Sequence, residues 1–256
     1  MLSTLQSLET RRKGKIVRIG NASGYRRFDQ HATQLSQEPR PLSSQPLKRH
    51  GGLSPKAAPT LLLAHGSGQP CDSPWMERLT QRLESLGVEV VRFNFEYMKQ
   101  ALAAQKPRPP SRLAKLLEEY RAVLEPYPAG TVFLGGKSLG GRVASHLATQ
   151  QEVAGLIAFG YPFHPPAKPQ TLRTEHLDQI LCPTLICQGE RDRFGNRQDV
   201  ESYHLPAFIE LCWIADGDHQ FVPRKRSSTT LDENLSTAAE AAFHFMTGLG
   251  DRRSSV

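Results

Sequence analysis

Residues 131–142 read TVFLGGKSLGGR. The apolar run before Gly135 predicts a strand, and the segment after Ser138 is compatible with a helix. Gly136 and Gly140 stand two residues before and after Ser138, where a tight strand-to-helix turn has no room for bulky side chains. The stretch therefore predicts a nucleophile elbow, in which the serine oxygen lies near the free backbone N–H groups of a helix N-terminus.

The chain around this elbow alternates short apolar runs with longer amphipathic segments. Such alternation is typical of a parallel sheet covered by helices on both faces. We predict an α/β fold with a mostly parallel sheet of about six strands and no large cap domain. The predicted strands are residues 60–64, 88–95, 131–134, 153–159, 183–188 and 208–214, with a further strand possible at 15–19. The predicted helices are residues 74–85, 112–124, 139–150, a segment within 171–180, 196–203 and 237–249, and Ser73 is expected to cap the first of them.

A nucleophilic serine needs a base to take its proton and an acid to orient that base. Asp192 follows the predicted strand 183–188, and we prefer it as the acid over Glu190 because the turn begins at Gly189. His219 lies on the loop after the last predicted strand, where it can reach the serine and act as base. The order Ser138, Asp192, His219 is the chain order of the triad in α/β-hydrolases.

The elbow also needs donors for a developing oxyanion. Strand 60–64 runs into the sequence HGSG at residues 65–68, where glycines let the backbone approach a substrate closely. We expect one N–H from Leu139 and another from the loop that contains Gly66 and Ser67. A glycine turn with no catalytic role is the alternative interpretation, and His65 is expected to brace the loop.

Several polar side chains near the elbow are candidates for substrate binding. Lys137 and Arg142 flank the serine, and cations there could bind an anionic group or depress the pKa of His219. Pairing of both cations within the scaffold is the alternative. Tyr161 and His164 follow the strand beside the elbow and could line the pocket or serve only as part of a proline-rich loop.

The charge of the chain is concentrated at its N-terminus. Residues 1–56 carry 11 Lys or Arg and 3 Asp or Glu, whereas residues 57–256 carry 21 and 22. The sequence therefore predicts a basic N-terminal extension over 1–56 and a single α/β domain over 57–250. The extension is predicted to be disordered because it has few apolar residues, and an acidic partner or a transit segment are the alternatives.

Composition argues against several other classes of protein. No apolar run approaches the length of a membrane helix, so we expect a cytoplasmic protein without a membrane anchor. Nucleic-acid binding is not expected, because basic and aromatic residues are not interleaved outside the extension. The four cysteines lack CxxC spacing, which predicts reduced, largely buried thiols rather than a metal site.

Several phrases in one order make the chain resemble α/β-hydrolases. The resemblance is closest to the compact, capless branch related to dienelactone hydrolases, which includes testis-expressed and chromatin-complex hydrolase-like proteins. It covers residues 58–248 and rests on LAHGSG (63–68), DSP (72–74), RFNF (92–95), GGKSLGGR (135–142), GYPFHPP (160–166) and DGDH (216–219).

The resemblance implies catalytic roles for Ser138, Asp192 and His219, and oxyanion roles for Leu139 and the loop at Gly66. It implies hydrolysis of a small ester, thioester or related acyl substrate through an acyl-enzyme, with no cofactor. We expect a monomer or a small homo-oligomer that binds a small-molecule substrate. A non-catalytic interaction module that retains the fold is the alternative function.

Overall fold

The computed structural model describes residues 15–16 and 58–253 of the chain. Most of the predicted basic extension lies outside these residues, so its predicted disorder and its boundary stay predictions. Within the described residues, no helix combines the length and the apolar character needed to cross a membrane.

Seven parallel strands form one open sheet. The strands are β1 (Lys15–Ile16), β2 (Thr60–Ala64), β3 (Glu89–Phe93), β4 (Phe133–Lys137), β5 (Gly155–Phe159), β6 (Thr184–Gly189) and β7 (Ile209–Ile214). Their order in the sheet is β1-β3-β2-β4-β5-β6-β7. The six predicted runs all form strands, which confirms the predicted sheet. The two-residue β1 pairs with β3 where a further strand was possible, and residues 17–19 lie outside the described residues.

Helices cover both faces of the sheet, as predicted. The helices are α1 (Pro74–Ser85), α2 (Glu96–Ala103), α3 (Leu113–Leu124), α4 (Leu139–Leu147), α5 (Arg197–Glu201) and α6 (Leu231–Arg253), with a 3-10 turn at Leu177–Gln179. One apolar cluster joins one face of the sheet to α2, α3 and α4, and a second joins the other face to α1 and α6. In the described residues no cap domain is inserted between the strands.

Some predicted helix boundaries were wrong for identifiable reasons. The α6 helix begins earlier than predicted because Thr230 and Glu233 form a reciprocal capping box, each side chain accepting the other's backbone N–H. Residues 171–180 form only the short 3-10 turn. The N–H of Arg173 donates to Phe163 O and its carbonyl accepts from the Tyr161 hydroxyl, so neither group supports a helix. Ser73 makes no side-chain capping bond, and α2 was not predicted.

Tyr120 ties α3 to the centre of the sheet. Its hydroxyl oxygen accepts the Gly135 N–H at 3.0 Å and lies 2.8 Å from the Gly135 carbonyl and 2.5 Å from the Leu62 carbonyl. The side chain is fully buried. These backbone groups of β2 and β4 therefore depend on the Tyr120 hydroxyl as a hydrogen-bond partner, because water does not reach them.

We predict that Tyr120→Phe lowers the free energy of unfolding by about 1–3 kcal/mol, the cost of leaving buried groups unpaired. Urea unfolding of the full chain measures the change. Tyr127→Phe is the control, since Tyr127 is only partly buried, and a change within about 0.5 kcal/mol is expected for it. Equal losses in the two variants would contradict the role assigned to the Tyr120 hydroxyl.

Candidate active site

Ser138 lies in the turn between β4 and α4, with φ 51° and ψ −112°. The turn is closed by backbone contacts that only glycine permits. A Cβ on Gly136 would lie 2.2 Å from the carbonyl carbon of Gly140, and one on Gly140 would lie 2.5 Å from Ala64 O. Both glycines are needed for steric reasons, as the sequence predicted, and the serine is held in the left-handed region.

Ser138, His219 and Asp192 form one continuous chain of hydrogen bonds. The Ser138 Oγ lies 2.8 Å from His219 Nε2, and His219 Nδ1 lies 2.7 Å from Asp192 Oδ2. Asp192 follows β6 and His219 follows β7, so both reach Ser138 from the carboxyl edge of the parallel sheet. The structure thus brings together three residues that are far apart in the sequence.

Asp192 is fully buried and held by two donors. The Phe194 N–H donates to Oδ1 at 2.8 Å, and the Gln188 side-chain amide donates to Oδ2 at 3.1 Å. Gln188 also donates to Gly195 O and accepts the Tyr161 N–H. The sequence analysis did not single out Gln188, although a polar residue in the apolar run of β6 was a usable signal.

Burial lowers the pKa of His219, and the nearby Lys137 charge lowers it further, while the hydrogen bond and charge of Asp192 oppose both effects. The imidazole is therefore favoured in its neutral form, which a base requires. The Phe194 ring packs against it with ring centroids 4.3 Å apart. Asp192 fixes which ring nitrogen carries the proton, since its Oδ2 accepts from Nδ1 and leaves Nε2 to accept from Ser138.

Lys137 points into the protein beneath the triad, and only 4% of the residue is exposed. Its Nζ donates to the His219 carbonyl oxygen at 2.6 Å and lies 5.4 Å from the centroid of the Trp75 ring. Burial lowers its pKa to about 8, opposed by the negative charges of Asp192 and Asp218. Lys137 therefore supports the loop that carries His219.

The loop after β2 lies beside the serine. An ideal Cβ placed on Gly66 would be 3.7 Å from Ser138 Cβ. His65 braces this loop, because its Nδ1 donates to Gly66 O at 2.6 Å and its Nε2 accepts the Phe95 N–H at 3.1 Å. Burial lowers the pKa of His65 to about 4, so it stays neutral. The Tyr97 hydroxyl donates to Ser67 O and fixes the loop further along.

A cavity of about 310 Å³ opens over Ser138 and His219. Of the predicted site residues, Gly66, Ser67 and Lys137 also line it. Its other walls were not predicted, because they depend on how α1 and the loop after β6 approach the elbow. These walls are formed by Gly68, Gln69, Ser73, Trp75, Met76, Arg193, Phe194 and Gln220.

Three predicted binding residues do not line this cavity. Tyr161 is buried, and its hydroxyl donates to Arg173 O at 3.1 Å. His164 is also buried, with its Nδ1 3.1 Å from Pro165 O. Arg142 lies one turn into α4, and its charge adds to burial in lowering the pKa of Arg173. Tyr161, which follows β5, therefore contacts Ser145 on α4 and does not line the cavity.

Comparisons with known proteins agree with the fold. Residues 57–247 match the family described as alpha/beta hydrolase domain, and the chain belongs to that family. The fold is similar to that of an alpha-beta serine hydrolase homologue from Coxiella burnetii (20% identity, TM-score 0.55, 76% of this chain and 87% of the other). It is also similar to Est1E from Butyrivibrio proteoclasticus (17% identity, TM-score 0.55, 76% and 89%).

We predict that Lys137→Met raises the pKa of His219, because the substitution removes a positive charge that disfavours the imidazolium. An NMR titration of the imidazole measures it, with the resonance assigned by its absence in His219→Gln. Arg193→Met, which removes an exposed cation from the same cavity, is expected to leave this pKa unchanged. An unchanged or lower His219 pKa in Lys137→Met would show that the Lys137 charge does not act on His219.

Proposed function

We propose that the protein is a serine hydrolase that cleaves a small ester, thioester or related acyl substrate through an acyl-enzyme. The observation that carries the proposal is the hydrogen-bonded series Ser138, His219 and Asp192, of which Ser138 and His219 line an open cavity. We also place the chain in the compact, capless branch related to dienelactone hydrolases.

The reaction begins when His219 Nε2 takes the proton of Ser138 and the serine oxygen attacks the acyl carbon. The imidazolium that forms is stabilised by Asp192, which is already bonded to Nδ1. His219 then gives the proton to the leaving group, and the acyl-enzyme remains. Water attacks in the second half of the cycle, with His219 as base again.

The negative charge on the carbonyl oxygen needs donors in each tetrahedral step. Leu139 begins α4, and the N–H groups of the first helical turn have no acceptor within their helix. Gly66 and Ser67 line the cavity on the opposite side of Ser138. We assign the oxyanion hole to the N–H of Leu139 and to an N–H of this loop.

The size and lining of the cavity support a small substrate. Its volume of about 310 Å³ is at the lower end of the range for ligand pockets. Trp75, Met76 and Phe194 offer apolar contact for an acyl group, whereas Gln69 and Arg193 offer polar contact for a leaving group. The proposed mechanism uses no metal ion or cofactor.

We predict that a fluorophosphonate probe labels the full chain and that Ser138→Ala abolishes labelling. Hydrolysis of p-nitrophenyl acetate should fall at least about 10³-fold in that variant, because the nucleophile is lost. Ser145→Ala is a matched control on the same helix, since Ser145 Oγ also lies 2.7 Å from a histidine, His176. That variant should label and turn over like the wild type.

The outcome separates the proposal from its alternatives. A folded wild-type chain that never labels, beside a control hydrolase that does, would favour the non-catalytic interaction module. Labelling that survives in Ser138→Ala and disappears in Ser145→Ala would move the nucleophile to the second serine. A panel of acyl lengths and of oxygen and sulfur leaving groups then defines the substrate class.

We predict that Asp192→Asn lowers kcat by about 10³- to 10⁴-fold, because an amide cannot balance the imidazolium and can favour the wrong tautomer. Glu190→Gln is the matched control. Glu190 competes with Asp192 in the sequence, but its carboxylate accepts from Arg197 and from the Asp216 N–H. A larger loss in Glu190→Gln than in Asp192→Asn would assign the acid to Glu190.

A further inference from the structure

Two cysteines face each other across the edge of the sheet. Cys187 on β6 and Cys212 on β7 are register partners in neighbouring parallel strands. Both contribute to the apolar cluster on the α6 side of the sheet, so their side chains lie on the same face. Both are free thiols.

The backbone already places this pair within reach of a disulfide. Neighbouring strands lie about 4.7–4.9 Å apart, and disulfides join Cα atoms about 4.4–6.8 Å apart. The two thiols are also close enough for each to shift the pKa of the other. A disulfide here needs a small adjustment of two side chains and no change of register.

The two thiols differ in access and in acidity. Cys187 is fully buried, and its Sγ lies 3.8 Å from Ala238 O on α6. Cys212 is partly exposed on β7, the edge strand. The interaction with Cys187 lowers the pKa of Cys212 against the opposing effect of burial, whereas the interaction with Cys212 and burial both raise the pKa of Cys187. Cys212 is therefore the better nucleophile of the two.

We propose that Cys187 and Cys212 are a redox-active dithiol that hydrogen peroxide converts to a disulfide between β6 and β7. The proposal is independent of the hydrolase activity proposed above. It concerns the strands that carry the candidate acid and base, because β6 leads into the Asp192 turn and β7 into the His219 loop.

The chemistry takes place in two balanced steps. The Cys212 thiolate attacks one peroxide oxygen, the O–O bond breaks, and a sulfenic acid forms as the other oxygen leaves as water after taking a proton. The Cys187 sulfur then attacks the Cys212 sulfur, the S–O bond breaks, and the hydroxyl group leaves as water with the Cys187 proton. The two thiols are oxidised by two electrons, and the peroxide is reduced to two waters.

The test treats the reduced, folded full chain with hydrogen peroxide, then unfolds it in N-ethylmaleimide and measures the intact mass. The reduced chain should take up four maleimides, one for each cysteine, and the oxidised chain two. Dithiothreitol should restore the uptake of four. Peptide mapping should show one link, between the peptides that contain Cys187 and Cys212.

Single variants assign the roles of the two thiols. Cys187→Ser should stop at a sulfenic acid on Cys212 that dimedone traps. Cys212→Ser lacks the attacking thiol, so it should form no disulfide and should still take up three maleimides after peroxide treatment. Cys182→Ser, which removes a buried cysteine outside the pair, is the matched control and should still form the link. Circular dichroism checks that each variant is folded.

Three results would overturn the proposal. The first is a folded wild-type chain that keeps four reactive thiols at peroxide concentrations that oxidise a free cysteine peptide. The second is a disulfide that forms only after the chain is unfolded in urea. The third is a link that involves Cys71 or Cys182.

Discussion

The close approach of α4 to the ends of β2 and β4 is the steric constraint on which the candidate site depends. Gly136 contacts the backbone of Gly140, and Gly140 contacts the backbone of β2 at Ala64. Any side chain at either glycine would push the helix away from the sheet. The helix N-terminus could then no longer lie over the carboxyl edge, and Ser138 would lose both its left-handed conformation and its place beside the loop at Gly66.

Buried polar groups around this turn hold one another in place. Gln188 holds Asp192, Asp192 holds His219, and the Lys137 ammonium holds the carbonyl of His219. Burying a cation and a carboxylate costs free energy, which the mutual attraction of the charges and the aromatic face of Trp75 partly offset. The lowered pKa of Lys137 reflects the cost that remains.

The strands and the candidate triad could be predicted because their signals are local. A parallel strand buried on both faces reads as an apolar run, and Asp192 follows such a run, β6, closely. His219 lies on the loop after β7, the last mainly apolar run of the sheet. The turn at Ser138 could be predicted because its glycines are required by backbone contacts. Chain order then supplied the assignment of acid and base without any knowledge of distances.

Features that depend on tertiary contacts could not be predicted in the same way. Whether Tyr161 lines a pocket or fills the core depends on Arg173 and Ser145, which the sequence does not place beside it. The sequence left open whether Lys137 binds substrate or pairs within the scaffold, because the contacts of its ammonium with the His219 carbonyl and Trp75 are tertiary. The capping box at Thr230 was a local signal that the analysis missed.

The pair Ser145 and His176 shows why a short distance alone does not define a catalytic serine. Its Oγ–Nε2 distance of 2.7 Å is as short as the 2.8 Å between Ser138 and His219. Burial lowers the pKa of His176 to about 3, and the neighbouring His146 and Arg142 lower it rather than oppose the effect. His219 has the buried Asp192 to stabilise its imidazolium, and Ser138 faces a cavity. The same two residue types therefore form a structural hydrogen bond in one place and the proposed proton-transfer pair in the other, and the carboxylate and the cavity distinguish the two.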